Sequence, residues 1–242
     1  MKKVIFALIL NLICCSAYAV TFESSARQVT LLELYSSEGC SSCPPADDWV
    51  RGFRSQSTLW KNFVPVVFHV DYWDDGGWKD PFSSAQFTEK QNQYARIWRM
   101  NTLFTPCVVI GGLPWRSWAN LATLPTFNRS PGTLKVETQG PGRYRVIFNP
   151  TDKLARNYEA HMALLGFDID SIPAKGENAG RKLKHDFVAL EYEHTSMEGT
   201  SAPSAALNLN TQDSRAKKTG VAAWVTQSGN PVAIQATGGY LD

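Results

Sequence analysis

Three short apolar runs place the strongest restriction on the fold of this chain. They cover residues 29–36, 64–71 and 106–111, and the first and third are bounded by polar residues or glycine. Runs of this length are typical of buried β-strands. Segments of helical composition lie between them, over 46–53 and 84–99. Strands that alternate with helices predict a parallel or mixed sheet with helices on its faces, which is an α/β architecture.

The pattern changes near residues 123–132, where proline, serine and glycine cluster. Beyond this cluster several strand candidates alternate apolar and polar residues, as strands of an antiparallel sheet do. These candidates are residues 134–138, 144–148, 160–167, 187–192, 221–226 and 232–235. We therefore predict an α/β domain over 20–127, followed by a β-rich, sandwich-like C-terminal domain over 128–242.

The first 19 residues have the composition of an export signal. Lys2 and Lys3 precede a nearly continuous apolar run over 4–15, and Ala17 and Ala19 provide the small residues of a signal-peptidase site. The run is shorter than the ~20 residues that a membrane-spanning helix needs. We expect a signal peptide over 1–19 that is cleaved after Ala19. The product would be a periplasmic or secreted protein without membrane attachment.

The charge balance excludes some classes of partner. The chain has 24 basic and 22 acidic residues, and loss of Lys2 and Lys3 makes the two numbers equal. A neutral chain without long runs of like charge does not predict a nucleic-acid partner. No glycine-rich dinucleotide fingerprint follows a strand, so we expect no bound NAD or flavin and assign no cofactor.

Cys40 and Cys43 are separated by two serines and stand between a predicted strand and a predicted helix. A helix N-terminus favours a thiolate, which is the species that attacks disulfides. This position predicts thiol–disulfide chemistry. The pair could instead be a structural bridge, half of a metal site or two buried thiols. A bridge across two residues removes little conformational entropy from the unfolded chain and so adds little stability, which favours the redox interpretation.

The order of strand, Cys-x-x-Cys, helix, strand, helix, Thr-Pro and strand resembles the thioredoxin superfamily. Five segments more closely resemble a family of secreted bacterial proteins described as thioredoxin-like and of unknown function. They are residues 33–47, 69–74, 77–82, 105–106 and 176–181. The resemblance implies a thioredoxin-like fold for the first domain, a redox-type cysteine pair and a cis bond before Pro106. It implies no substrate.

The leading hypothesis is an exported thiol–disulfide oxidoreductase that acts on a disulfide-containing protein or a small thiol. Cys40 precedes the turn and should be the more exposed of the two cysteines, so it would attack the disulfide, and Cys43 would resolve the mixed intermediate. Thr105 and Pro106 would present backbone to the substrate. Glu33, in the strand before the cysteines, could accept the proton of Cys43, or it could be a salt-bridged acid.

Substrate contacts are predicted on the second strand and the loop that follows it. Asp71 stands at the carboxyl end of that strand, where open sheets place their sites. The loop over 72–82 carries Trp73 and Trp78, which could form an aromatic rim around a substrate. Alternatively, the two rings form a small core under a long loop.

Two other functions stay open. One is a zinc- or copper-binding module whose ligands are Cys40, Cys43, Cys107 and His69. Taken singly, Cys107 and His69 are also consistent with buried core residues. The other is a non-catalytic interaction protein in which the β-rich domain binds a partner and the cysteine pair is structural.

Overall fold

A computed structural model of the protein describes residues 20–121, 123–152 and 156–241. The predicted signal peptide over 1–19 lies outside the described residues. Among the described helices, none has the length and apolar character needed to cross a membrane.

Strands dominate the described residues. The two α-helices described are α1 (Pro44–Arg51) and α2 (Ala85–Trp98), and short 3-10 turns cover Gly52–Ser55, Asp74–Gly76 and Trp118–Asn120. The strands are β1 (Thr21–Glu23), β2 (Thr30–Ser36), β3 (Phe63–His69), β4 (Cys107–Ile110), β5 (Leu113–Pro114), β6 (Gly132–Thr138), β7 (Arg143–Pro150), β8 (Tyr158–Phe167), β9 (Ile169–Ser171), β10 (Leu183–His185), β11 (Val188–Ser196), β12 (Ser204–Asn208), β13 (Lys218–Gln227) and β14 (Ala233–Tyr240).

An eight-stranded sheet runs through the molecule in the order β14-β13-β8-β11-β3-β2-β4-β5. Strand β3 is parallel to β2 and to β11, and the other pairs in this sheet are antiparallel. A four-stranded sheet has the order β1-β6-β7-β12, and β9 pairs with β10 in a two-stranded ribbon.

The predicted fold class, an α/β thioredoxin-like domain followed by a β-rich sandwich-like domain, is wrong. Strands from both halves of the chain join in one sheet, because β11 pairs with β3 at Val188 and Val67. Hydrophobic periodicity identifies a strand but carries no information about its distant neighbour, so the sequence pattern did not show this pairing. The placement of a boundary at 127/128 stays a prediction.

The burial of each strand follows from its place between the layers. Every residue of β2 is buried, since β2 lies between β3 and β4 and has both faces covered. Strand β7 instead alternates exposed and buried residues, because one of its faces meets solvent. The largest core cluster contains Phe68 of β3 together with Trp224 of β13, so the apolar core is also shared by the two halves.

The carboxyl ends of β2 and β3 meet at one edge of the large sheet, where Ser36 is paired with His69. From this edge the chain enters α1 on one side and the loop before α2 on the other. Ser84 caps α2, since its hydroxyl accepts a hydrogen bond from the backbone N–H of Gln86. Most of the predicted site residues are therefore on segments that start at a single sheet edge.

Candidate functional site

The cysteine turn connects β2 to α1. Cys40 and Cys43 are joined by a disulfide. Cys43 is the N-cap residue of α1, and its carbonyl oxygen accepts a hydrogen bond of 2.8 Å from the backbone N–H of Ala46. Pro44 and Pro45 occupy the first helical positions, where a backbone N–H has no partner within the helix. The turn therefore holds the disulfide at the positive end of the helix dipole.

Both cysteines are buried, with 1% of Cys40 and none of Cys43 exposed. We expected Cys40 to be the more accessible of the two, and the structure gives no such difference. The two serines between them are exposed. An external thiol therefore cannot reach either sulfur until the structure around the turn opens.

A segment from the second half of the chain covers the turn. We call residues 176–181 the latch. Asn178 is fully buried at its centre, and its side-chain amide donates hydrogen bonds to the carbonyl oxygens of Glu38 at 2.8 Å and Cys40 at 2.9 Å. The Asn178 side chain thus fastens the latch to the backbone on the N-terminal side of the disulfide.

The contacts between the latch and Ser41 are exposed to solvent. The carboxylate of Glu177 accepts hydrogen bonds from Ser41, at 2.6 Å from the hydroxyl and 3.0 Å from the backbone N–H. These bonds hold the pKa of Glu177 below its usual value. Arg181 donates to the side-chain oxygen of Asn178 at 2.5 Å and so orients the amide. Exposed polar contacts of this kind contribute little stability, so the latch is suited to opening.

Thr105 and Pro106 directly precede β4. The bond between them is cis. Pairing of β4 with β2 places Pro106 across from the end of β2. The indole N–H of Trp73 donates to the Thr105 hydroxyl at 2.8 Å. A Cβ at Gly39 would stand 3.0 Å from the Cβ of Trp73, so Trp73 connects the Thr-Pro segment with the cysteine turn.

The other two predicted substrate-binding residues have different surroundings. Trp78 reaches the cysteine turn, where its indole N–H donates to Glu38 at 2.7 Å. Asp71 faces α2 instead, and its carboxylate accepts a hydrogen bond of 2.5 Å from the Thr88 hydroxyl. The structure therefore brings Trp73 and Trp78 to the turn, whereas Asp71 ties the end of β3 to α2.

Glu33 is part of a buried ion pair. Its carboxylate lies 3.0 Å from the ammonium of Lys90 and accepts hydrogen bonds from the hydroxyls of Tyr94 at 2.5 Å and Tyr35 at 3.2 Å. Lys90 also lies 5.0 Å from the ring centroid of Trp224. These contacts correspond to the salt-bridged alternative for Glu33, and a role in accepting the proton of Cys43 stays a prediction.

Cys107 is a buried free cysteine on β4, in register with Tyr35 of β2. Burial raises the pKa of its thiol to about 12. The thiol is therefore protonated at neutral pH and unsuited to nucleophilic attack. The structure does not place Cys107 in the disulfide.

A buried cluster of imidazoles and carboxylates lies next to the turn. The Nδ1 atom of His69 is 2.7 Å from Asp80, and the Nε2 atom of His185 is 3.3 Å from Glu38. Asp47 of α1 accepts a hydrogen bond of 3.0 Å from the Ser36 hydroxyl. Burial opposes a charge on His69, but the nearby carboxylates, first of all Asp80, outweigh it and raise the pKa of His69 to about 9.

Of this cluster, the sequence alone predicts only His69 as a site residue, and it does so as a partner of the cysteines. Asp47, Asp80 and Glu38 are within the segments that carry the family resemblance, although nothing in the sequence marks them as one group. His185 carries no signal, because it reaches the cluster through the short strand β10, which is absent from the predicted strands.

Comparisons with known proteins give one family of unknown function and two solved structures with a similar fold. A family model described as "Protein of unknown function (DUF1223)" matches residues 31–226. A solved structure from Agrobacterium tumefaciens is 22% identical, with a TM-score of 0.60 over 88% of this chain and 94% of that chain. The structure of HBP35 of Porphyromonas gingivalis is 13% identical, with a TM-score of 0.61 over 90% and 77%. At these identities the likeness shows the fold alone. A comparison with curated proteins gave no match.

Proposed function

We propose that this chain, which belongs to the family described as "Protein of unknown function (DUF1223)", is an exported thiol–disulfide exchange protein. That family carries no assigned activity. Its active pair is Cys40 and Cys43, and its substrates are disulfides of proteins or of small molecules. Export rests on the predicted signal over 1–19.

The observation that carries this proposal is the disulfide at the N-cap of an α-helix. A bridge between Cys40 and Cys43 closes a loop of four residues, for which the chain-entropy model gives only about 2 kcal/mol of stabilisation. A chain with this much buried core gains little from such a bridge. The helix N-terminus also favours the thiolate that forms when the bridge is reduced. Both arguments fit a pair that alternates between two redox states.

The exchange proceeds in two balanced steps. The Cys40 thiolate attacks one sulfur of the substrate disulfide, so a mixed disulfide forms and the other substrate sulfur leaves as a thiolate. Cys43 then loses its proton and attacks the Cys40 sulfur, which restores the protein disulfide and releases the first substrate sulfur. Two electrons pass from the protein to the substrate. A dithiol returns them by the same steps in reverse.

The surroundings of the turn supply the substrate contacts in this proposal. Trp73 connects Thr105 with the cysteine turn, so Thr105 and Pro106 would present backbone to the substrate, and Trp73 and Trp78 would offer apolar surface on the neighbouring loop. The latch must move before these groups and the sulfurs meet a substrate, because both cysteines are buried. Opening of the latch is therefore a required step of the reaction.

The proposal is tested with a reductase assay on a peptide disulfide, with a small dithiol as the source of electrons. We expect Cys40→Ser to abolish turnover, and Cys43→Ser to accumulate a mixed disulfide with the substrate. Cys107→Ala is the matched control, because this cysteine is buried outside the turn and its loss should leave turnover unchanged. Equal turnover in the Cys40→Ser variant and the unaltered protein would refute the proposal.

A further inference from the structure

The buried histidines differ in how their ring nitrogens are paired. His161 uses both nitrogens, since Nδ1 is 2.7 Å from the hydroxyl of Tyr192 and Nε2 is 2.9 Å from that of Thr226. By contrast, Nε2 of His69 and Nδ1 of His185 have no hydrogen-bond partner, although both rings are buried. Unpaired buried polar atoms are costly and rare in folded proteins. These two nitrogens therefore point to a ligand.

Asp47 also has an unpaired buried atom. The Oδ1 atom of Asp47 is buried and has no hydrogen-bond partner. Asp47, His69 and His185 each offer one ligand atom, and these atoms all lie within 4.8 Å of one another. We propose that Asp47, His69 and His185 form a binding site for a divalent transition-metal ion, which we expect to be zinc. This site uses no cysteine and does not depend on the exchange activity.

The distances suit a metal ion after small side-chain movements. Zinc bonds to imidazole nitrogen and carboxylate oxygen are about 2.0–2.2 Å long, so tetrahedral ligand atoms stand roughly 3.3–3.6 Å apart. Three atoms within 4.8 Å of one another reach that spacing by modest rotations of their side chains. Two histidines and one carboxylate leave a fourth position for water or another ligand, which is a donor set that zinc accepts.

The groups that contact the second ring nitrogen of each histidine support the assignment. The Nδ1 atom of His69 is paired with Asp80 at 2.7 Å, and the Nε2 atom of His185 is hydrogen-bonded to the Ser171 hydroxyl at 3.0 Å, with Glu38 at 3.3 Å. Histidine ligands to metals almost always donate their other ring N–H to a carboxylate, a carbonyl or a water. Each ring is thus held through one nitrogen, and its other nitrogen has no hydrogen-bond partner.

The negative charge around the three residues and the solvent next to them also favour a bound cation. Three carboxylates, those of Glu38, Asp47 and Asp80, surround the two imidazoles and are buried with them. A cation of charge +2 would offset much of this negative charge. A surface cavity of about 270 Å³ is lined by both Asp47 and His185, so it brings solvent next to two of the three proposed ligand residues.

The proposal is tested by titrating zinc into the metal-stripped protein with its disulfide intact, so that no thiolate from the turn can bind. We expect one equivalent of zinc to bind, and zinc at 100 times Kd to raise Tm by about 5–10 °C. Asp47→Asn, His69→Gln and His185→Gln should each weaken binding more than 100-fold. Asp80→Asn should weaken it about 10–100-fold, because it only orients His69.

Matched controls separate this site from zinc binding elsewhere on the protein. His194→Gln removes an exposed histidine and Asp48→Asn removes an exposed carboxylate of α1, and both should bind zinc as the unaltered protein does. A Cys40→Ser, Cys43→Ser double variant should also retain binding. Loss of binding in that double variant, unchanged binding in the His185→Gln variant, or no zinc binding at all would overturn the proposal. Circular dichroism of the metal-free variants identifies any that fail to fold.

Discussion

Removal of the Asn178 side chain should speed reduction of the disulfide. Its amide makes two buried hydrogen bonds, to the carbonyl oxygens of Glu38 and Cys40. A buried hydrogen bond contributes about 0.5–1.5 kcal/mol, so Asn178→Ala should make opening of the latch easier by about 1–3 kcal/mol. If reduction proceeds through the open latch, this corresponds to a rate increase of about 5- to 150-fold.

The assay is the pseudo-first-order reduction of the oxidised protein by excess dithiothreitol. At intervals, samples are alkylated with excess N-ethylmaleimide in the same native buffer and analysed by mass spectrometry. Asn149→Ala is the matched control, since Asn149 is exposed and its side chain bonds to Thr133 at a long 3.4 Å. Cys107 serves as an internal reporter, because its alkylation would rise only if the core itself opened.

Two results would refute this role of the latch. If Asn178→Ala folds normally and is reduced at the rate of the unaltered protein, the latch does not control access to the sulfurs. If labelling of Cys107 rises in step with reduction, the sulfurs become accessible by general unfolding rather than by movement of the latch.

Two further predictions concern the core. The pKa of Cys107 is raised to about 12, so its thiol stays protonated well above neutral pH. After reduction, iodoacetamide at pH 8 should label the two cysteines of the turn but label Cys107 only in denaturant; equal labelling of all three would contradict its burial. Lys90→Met should lower the free energy of unfolding in urea by about 3–5 kcal/mol, because Glu33 would lose its cationic partner in the buried core. Lys79→Met, at an exposed lysine, should change it by less than about 0.5 kcal/mol, and similar losses in both variants would refute the importance of the pair.

Local patterns in the sequence predicted the local elements well. The apolar run over 29–36 corresponds to β2, and the helical segment over 84–99 corresponds to α2. The cysteine spacing, the Thr-Pro pair and the two prolines at the start of α1 located the turn and its neighbours. In each case the relevant residues are close together in the chain, so spacing and propensity carry the information.

Long-range assembly was not predictable in this way. The insertion of β11 beside β3 joins residues more than 100 positions apart, and no period in the sequence reports such a pairing. The latch and His185 reach the cysteine turn from the same distant part of the chain. The burial of Cys40 follows from that arrangement, so the sequence alone predicted an accessible sulfur where the structure has a covered one.

The reduction potential of the Cys40–Cys43 pair tests the proposed function most directly. It is measured by equilibrating the protein with glutathione or dithiothreitol buffers and determining the oxidised fraction by mass spectrometry. The proposal predicts a value above about −300 mV, within the range of about −120 to −270 mV found for exchange-active pairs. A value below about −300 mV would identify a structural bridge and would contradict the proposed exchange activity.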